Sequence, residues 1–170
     1  MSNNLPSKIN HSLMWLNNNI KDIKEISNLT NQYLIKLTNI SITKDGYSGK
    51  IKSDSSKYRK KLNEKMECIL IDYNIYIKDI DEIVKYKNID DVIYSYSKFL
   101  KLLFEYKKLK KETKKIYDKC EIEKDKAQRE ENYVLCIGIS KIYSDIYRCD
   151  YICGNIIKKL NILLNRVDEI

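Results

Sequence analysis

The sequence predicts an all-α protein, an antiparallel four-helix bundle of long helices that forms one helical domain over residues 1–170. Three observations carry this. Only 4 Gly and 1 Pro occur in 170 residues, and neither occurs from Ser53 to Ile137, so the strongest local breakers are missing from half the chain. Apolar residues recur at alternating steps of four and three, the helical seam period. The apolar fraction of 43% argues against disorder, and a chain of this length can bury a core without disulfides or metals.

The first helix is expected over 7–40, opening at Ser7 after Pro6, with Ile9, Leu13, Leu16, Ile20 and Ile23 on its seam. Ser27 and Thr30 interrupt that seam before Leu34, Leu37 and Ile40 resume it. Thr43 to Gly49 holds two of the four glycines and reads as a turn. The second helix is expected over 53–87, capped by Ser53 or Asp54, with Leu62, Met66, Ile69, Tyr73, Tyr76, Ile80 and Ile83 inward.

Near Lys87 and Asn88 the phase slips by a residue, which predicts a break and a third helix over 89–121 with Ile93, Tyr96, Leu100, Leu103, Tyr106, Leu109, Ile116, Tyr117 and Cys120 on its seam. One continuous helix through Asn88 is the alternative, since neither Gly nor Pro enforces the break. The charged stretch Glu121–Asn132 reads as the next turn. The fourth helix, over 130–167, has the most regular seam: Leu135, Ile139, Ile142, Ile146, Cys149, Cys153, Ile156, Leu160, Leu163 and Val167.

No apolar run approaches the ~20 residues that span a bilayer, so no membrane span is expected. Met1–Lys8 is polar and lacks the apolar stretch of a secretory signal, and five cysteines without a framework spacing suit a reducing compartment; cytoplasmic residence is the expectation.

Catalytic and cofactor chemistry finds little material. His11 is the single histidine and reads as a surface or partly packed side chain. The acidic pairs Asp81-Glu82, Asp90-Asp91 and Glu130-Glu131 are sequence neighbours and point to different helix faces. Cys149 and Cys153 stand four apart, a spacing open to a metal, but both fall on the seam and read as core. No phosphate-binding glycine loop occurs, so no cofactor, no metal and no enzyme activity are expected. Tyr143, Tyr147 and Tyr151 form an i, i+4, i+8 ladder that reads as a widening of the core face, with base stacking or a partner grip as the functional alternative.

The net charge is +8, and lysine supplies 28 of the 32 basic residues, a bias expected of codons drawn from an AT-rich genome and one that leaves part of the charge open to drift. Two segments exceed the average. Lys50 to Lys65 carries Lys50, Lys52, Lys57, Arg59, Lys60, Lys61 and Lys65 against Asp54 and Glu64, a net +5. Lys107 to Lys119 carries Lys107, Lys108, Lys110, Lys111, Lys114, Lys115 and Lys119 against Glu112 and Asp118, again +5. If the second and third helices are antiparallel neighbours, these segments merge into one basic pole. Its candidate anion or partner contacts are Lys57, Arg59, Lys60, Lys61, Lys107, Lys110, Lys111, Lys114 and Lys115.

The hairpin through Gly46-Tyr47-Ser48-Gly49 resembles the Trp-x-Gly helical hairpins of type VII secretion substrates and their partners, with Tyr47 in place of the tryptophan. It covers about half the chain and implies a secretion substrate or partner. Tyr86 and Asp90 have the spacing of that family's export motif, but so do Tyr117 and Glu121, and 14 tyrosines with 24 acidic residues yield about two such pairs from composition alone.

The expected function is non-enzymatic macromolecular interaction, for example as a small bacterial or phage inhibitor, immunity protein or secretion partner. Its partner would be a protein, acidic if the basic pole meets it. Nucleic-acid binding through that pole is the alternative, and homo-oligomerisation stays open.

Overall fold

The computed structural model describes residues 5–40, 47–86 and 90–169. Four helices account for nearly all of them: α1 Leu5–Ile40, α2 Tyr47–Lys85, α3 Asp90–Arg129 and α4 Tyr133–Asp168. The all-α bundle is therefore the fold. Among the described residues no helix is long and apolar enough to cross a membrane.

Consecutive helices run antiparallel. Lys8 meets Glu82 and Lys65 meets Glu25 across α1 and α2, while Lys110 meets Asp150 and Tyr96 meets Asp168 across α3 and α4. Two hairpins then pack with α1 beside α3 and α2 beside α4, so α2 and α3 occupy opposite corners. Met66 against Cys149 and Asp81 bonded to Lys159 make the α2–α4 contact parallel. Across the other diagonal α1 and α4 approach, and a Cβ on Gly138 would stand 3.8 Å from Leu37 Cδ1.

The seams of α1, α2 and α4 pack inward as expected. Ser27 and Thr30 do not interrupt α1; both are buried, and Thr30 shares a hydrogen bond with Tyr58, whose ring stacks on Tyr33 at 4.5 Å. The third seam needs a correction. Ile93 is 44% exposed, and Val92, Phe99 and Leu102 turn inward instead, ahead of Leu103, Tyr106 and Leu109.

Several helix boundaries differ from those expected. The first helix opens at Leu5 with Pro6 inside its first turn, where a missing N–H costs nothing. The second begins at Tyr47, so Gly49 lies in a helix rather than in the turn that the Trp-x-Gly resemblance required, and residues 41–46 lie outside the described ones. The expected break near Asn88 falls between Lys85 and Asp90, with residues 87–89 outside the described ones.

The largest difference is the end of α3, eight residues beyond 121. Charge density there looked like a turn, yet Glu, Lys, Gln, Ala and Arg are strong helix formers. Cys120 and Ala127, seven apart, hold the last turns to the core while Ile122 stays 63% exposed.

The turn that follows is compact. Glu131 has φ 57°, Asn132 N–H donates to Ala127 O at 2.9 Å, and Glu131 N–H donates to Gln128 O at 3.2 Å. This is a Schellman closure with glutamate at the left-handed position that glycine usually takes. Asn132 then caps α4, its Oδ1 accepting from Leu135 N–H at 3.3 Å.

Two stability outcomes follow. Glu131→Gly is expected to relieve the left-handed strain and stabilise by about 1 kcal/mol, raising Tm by about 3 °C in a thermal melt. Tyr106 is fully buried; its hydroxyl donates to Leu16 O at 2.8 Å and accepts from Asn19 Nδ2 at 3.2 Å. Tyr106→Phe strands that amide and is expected to cost about 2 kcal/mol, lowering Tm by about 6 °C.

Candidate macromolecule-docking face on α4

The two basic segments do not merge into a pole. Both lie in the same half of the bundle, Lys57–Lys61 level with Asp145 and Lys107–Lys115 level with Asp150, but on α2 and α3 they stand at opposite corners. On one side of the molecule, α4 lies between them.

The nine expected contacts therefore divide. Lys57 and Lys61 are exposed and join Lys36 around a groove of about 230 Å³ between α1 and α2, floored by Leu29, Tyr33 and Tyr58. Lys60 points to solvent. Arg59 turns the other way, into a groove of about 560 Å³ between α2 and α4.

On α3, Lys110 is half-buried and bonds Asp150 at 3.2 Å; a Cβ on Gly154 would stand 3.2 Å from its Nζ, so the glycine leaves room for the ammonium. Lys107 lies 5.9 Å from the Phe104 ring centroid. Lys111, Lys114 and Lys115 are exposed. Lys107 and Lys114, three before and four after Lys110, continue its strip along the border of α4.

The outer ridge of α4 fills the space between these borders. Each i, i+4 step advances a side chain about 40° around the helix, so the tyrosine ladder rotates away from the core as it climbs. Tyr143 is half-buried, Tyr147 is 50% exposed and Tyr151 is 63% exposed. The expectation that all three widen the core holds for Tyr143 alone. Tyr147 is braced from beneath, edge-on to Tyr117 at 6.1 Å and stacked on Tyr143 at 6.3 Å.

Cations flank the exposed tyrosines. Arg59, Lys141 and Arg148 line the α2–α4 groove, and Lys158 lines a groove of about 350 Å³ on the α3 side with Tyr147 and Tyr151. None of these four forms a salt bridge among the described residues. Asp145 lies among the first three; burial raises its carboxyl from the ordinary 3.8, against the pull of Arg148 and Arg59. Arg59 Nε is buried with no hydrogen-bond partner among the described residues.

Lys141, Arg148 and Lys158 escaped the sequence reading because none belongs to a run of cations like those on α2 and α3. Plotting α4 as a wheel would have found Lys141 and Arg148, seven apart on the side away from the seam.

Among the described residues no group of three or more His, Cys, Asp or Glu side chains could hold a metal, and His11 is exposed. Cys149 and Cys153 are buried on the α4 seam; burial pushes the thiols of Cys120 and Cys149 up to about 12, and that of Cys153 well above its usual range. No protein family, curated protein or solved structure matches the chain.

The thiol chemistry is directly checkable. In native buffer at pH 8 an aromatic disulfide reagent is expected to modify exposed Cys68 quickly and half-buried Cys136 more slowly. Cys120, Cys149 and Cys153 should react only in denaturant, taking the titrated total from two to five; early reaction of a third thiol would contradict the buried assignment.

Proposed function

We propose that this protein is a non-enzymatic docking protein, and that its α4 face binds a macromolecule bearing negative charge. The observation that carries the reading is the pairing of two exposed tyrosines with four cations that form no salt bridge among the described residues. Among the described residues only Lys8, Lys24, Lys65, Lys110 and Lys159 form salt bridges, so what marks these four is their place beside the exposed tyrosines and, for Arg59, its burial. Aromatic and arginine side chains are the residue types that anchor macromolecular contacts, and a row of cations in excess over its carboxylates raises the local concentration of an anionic partner.

The face is open and shallow, suiting an extended surface better than a small substrate. A catalytic constellation needs a nucleophile or base oriented by a third group, and the thiols with raised pKa, the lone exposed histidine and the solitary Asp145 supply none.

Retention on a heparin column, read as the salt needed for elution, tests the face. Lys141→Glu with Arg148→Glu is expected to lower the elution salt sharply, while Lys78→Glu at the far end of α2 leaves it near the native value. Equal effects from the two variants would sink the reading.

Asp145→Asn removes the one carboxylate among the described residues lining the α2–α4 groove and is expected to delay elution. Its stability effect has a definite sign. The folded protein holds the Asp145 proton more tightly than the unfolded chain does, so native stability falls as pH rises from about 3.8 through the raised folded value. Asp145→Asn should abolish that fall and be more stable than the native protein at pH 7, measured by urea titration.

A further inference from the structure

We propose that the partner of the α4 face is a single-stranded nucleic acid, with unstacked bases set against Tyr147 and Tyr151 and phosphates held by Arg59, Lys141, Arg148 and Lys158. This rests on the docking reading above and narrows it to one ligand class.

Composition at the centre of the face decides between nucleic acid and an acidic protein. Protein interfaces deplete lysine from their core and gather apolar residues around the aromatic anchors. Here Tyr147 and Tyr151 share their groove with Lys110, Asp150, Asn155 and Lys158, and Arg148 stands between them in sequence. Nucleic-acid interfaces are the polar, strongly basic kind.

The geometry favours an unpaired strand over a duplex. Stacking platforms for single strands combine exposed aromatic faces with a basic track for the backbone. Tyr147 and Tyr151 stand one turn apart, about 6 Å along α4, and Lys141 to Lys158 extends the cationic track over about 25 Å. Braced by Tyr117 and Tyr143, Tyr147 is held in place before a base arrives, which lowers the ordering cost of stacking. A duplex hides its base faces and would leave both rings without a stacking partner.

The test is fluorescence anisotropy with labelled 20-mers of oligothymidylate and oligouridylate, a 20-base-pair duplex, and polyglutamate as competitor. Both single strands are expected to bind, with a log–log salt slope of about −3 for four phosphate contacts. Tyr147→Ala with Tyr151→Ala should weaken binding by about tenfold or more with the slope unchanged, and Tyr147→Phe with Tyr151→Phe should restore it. Arg148→Ala should flatten the slope by about 0.7.

Loss of affinity equal for the Phe and Ala pairs, tighter binding of the duplex, or binding indifferent to both tyrosines would overturn the inference. So would failure of both oligonucleotides to bind while heparin is still retained, or displacement by polyglutamate at equal charge concentration; these leave the docking reading standing. Failure to bind heparin as well would remove both. The substituted tyrosines are exposed, and a circular dichroism melt matching the native protein checks that the variants fold.

Discussion

The narrowness of the apolar stripe on α4 governs the rest of the molecule. Nine seam residues from Leu135 to Leu163 are buried, and α4 packs on all three other helices. A stripe at four-three spacing covers a limited arc of a helix, and the opposite arc must face water. That arc carries Tyr147, Tyr151, Arg148 and Lys158, so the packing that gives the bundle its centre also exposes the face assigned to binding. Seating α2 and α3 on either side of α4 then frames the ridge with Arg59 on one border and the Lys107–Lys110–Lys114 strip on the other.

Polar groups inside the core fix how the hairpins meet. Ser12, Asn19, Ser27, Thr30 and Thr113 are all buried, and several of them bond across helices. Tyr106 ties α3 to the Leu16 carbonyl of α1, Thr30 ties α1 to Tyr58 of α2, and Thr113 reaches Asp150 of α4 at 3.4 Å. A seam of leucine and isoleucine alone can slide by a turn at little cost, whereas a slipped Tyr106 would bury its hydroxyl without a partner. The register that aligns Asp145 with Arg59, and Asp150 with Lys110, is held by these bonds.

Sequence periodicity was sufficient for the helices and for most of the core, because buried positions on a long helix repeat faithfully. It failed where information is not periodic. The charged end of α3 remained helical since its residues favour helix, and the one signal for its end, Asn132 as a cap, lay inside the stretch read as turn. The diagonal placement of α2 and α3 is a choice between ways of packing two hairpins, and seams of equal width do not encode it. The tyrosine ladder was misread because i, i+4 spacing was equated with a fixed face, although over eight residues it turns by about 80°.

The identity of the cations argues that the α4 face is more than a lysine-rich surface. Codon bias toward A and T multiplies lysine, and the excess on α3 is almost wholly lysine. That bias does not favour arginine, of which this chain has only Arg59, Arg129, Arg148 and Arg166. Two of those four line the same groove and bracket Asp145. Arg59 is half-buried and Arg148 exposed; the guanidinium is more weakly hydrated than an ammonium and offers five donors in a rigid fork matched to phosphate. One carboxylate, with its own charge discouraged by burial, cannot occupy both forks. On the proposed reading the remaining donors meet a second anion, and the exposed tyrosines beside the groove supply what a bare phosphate site would lack.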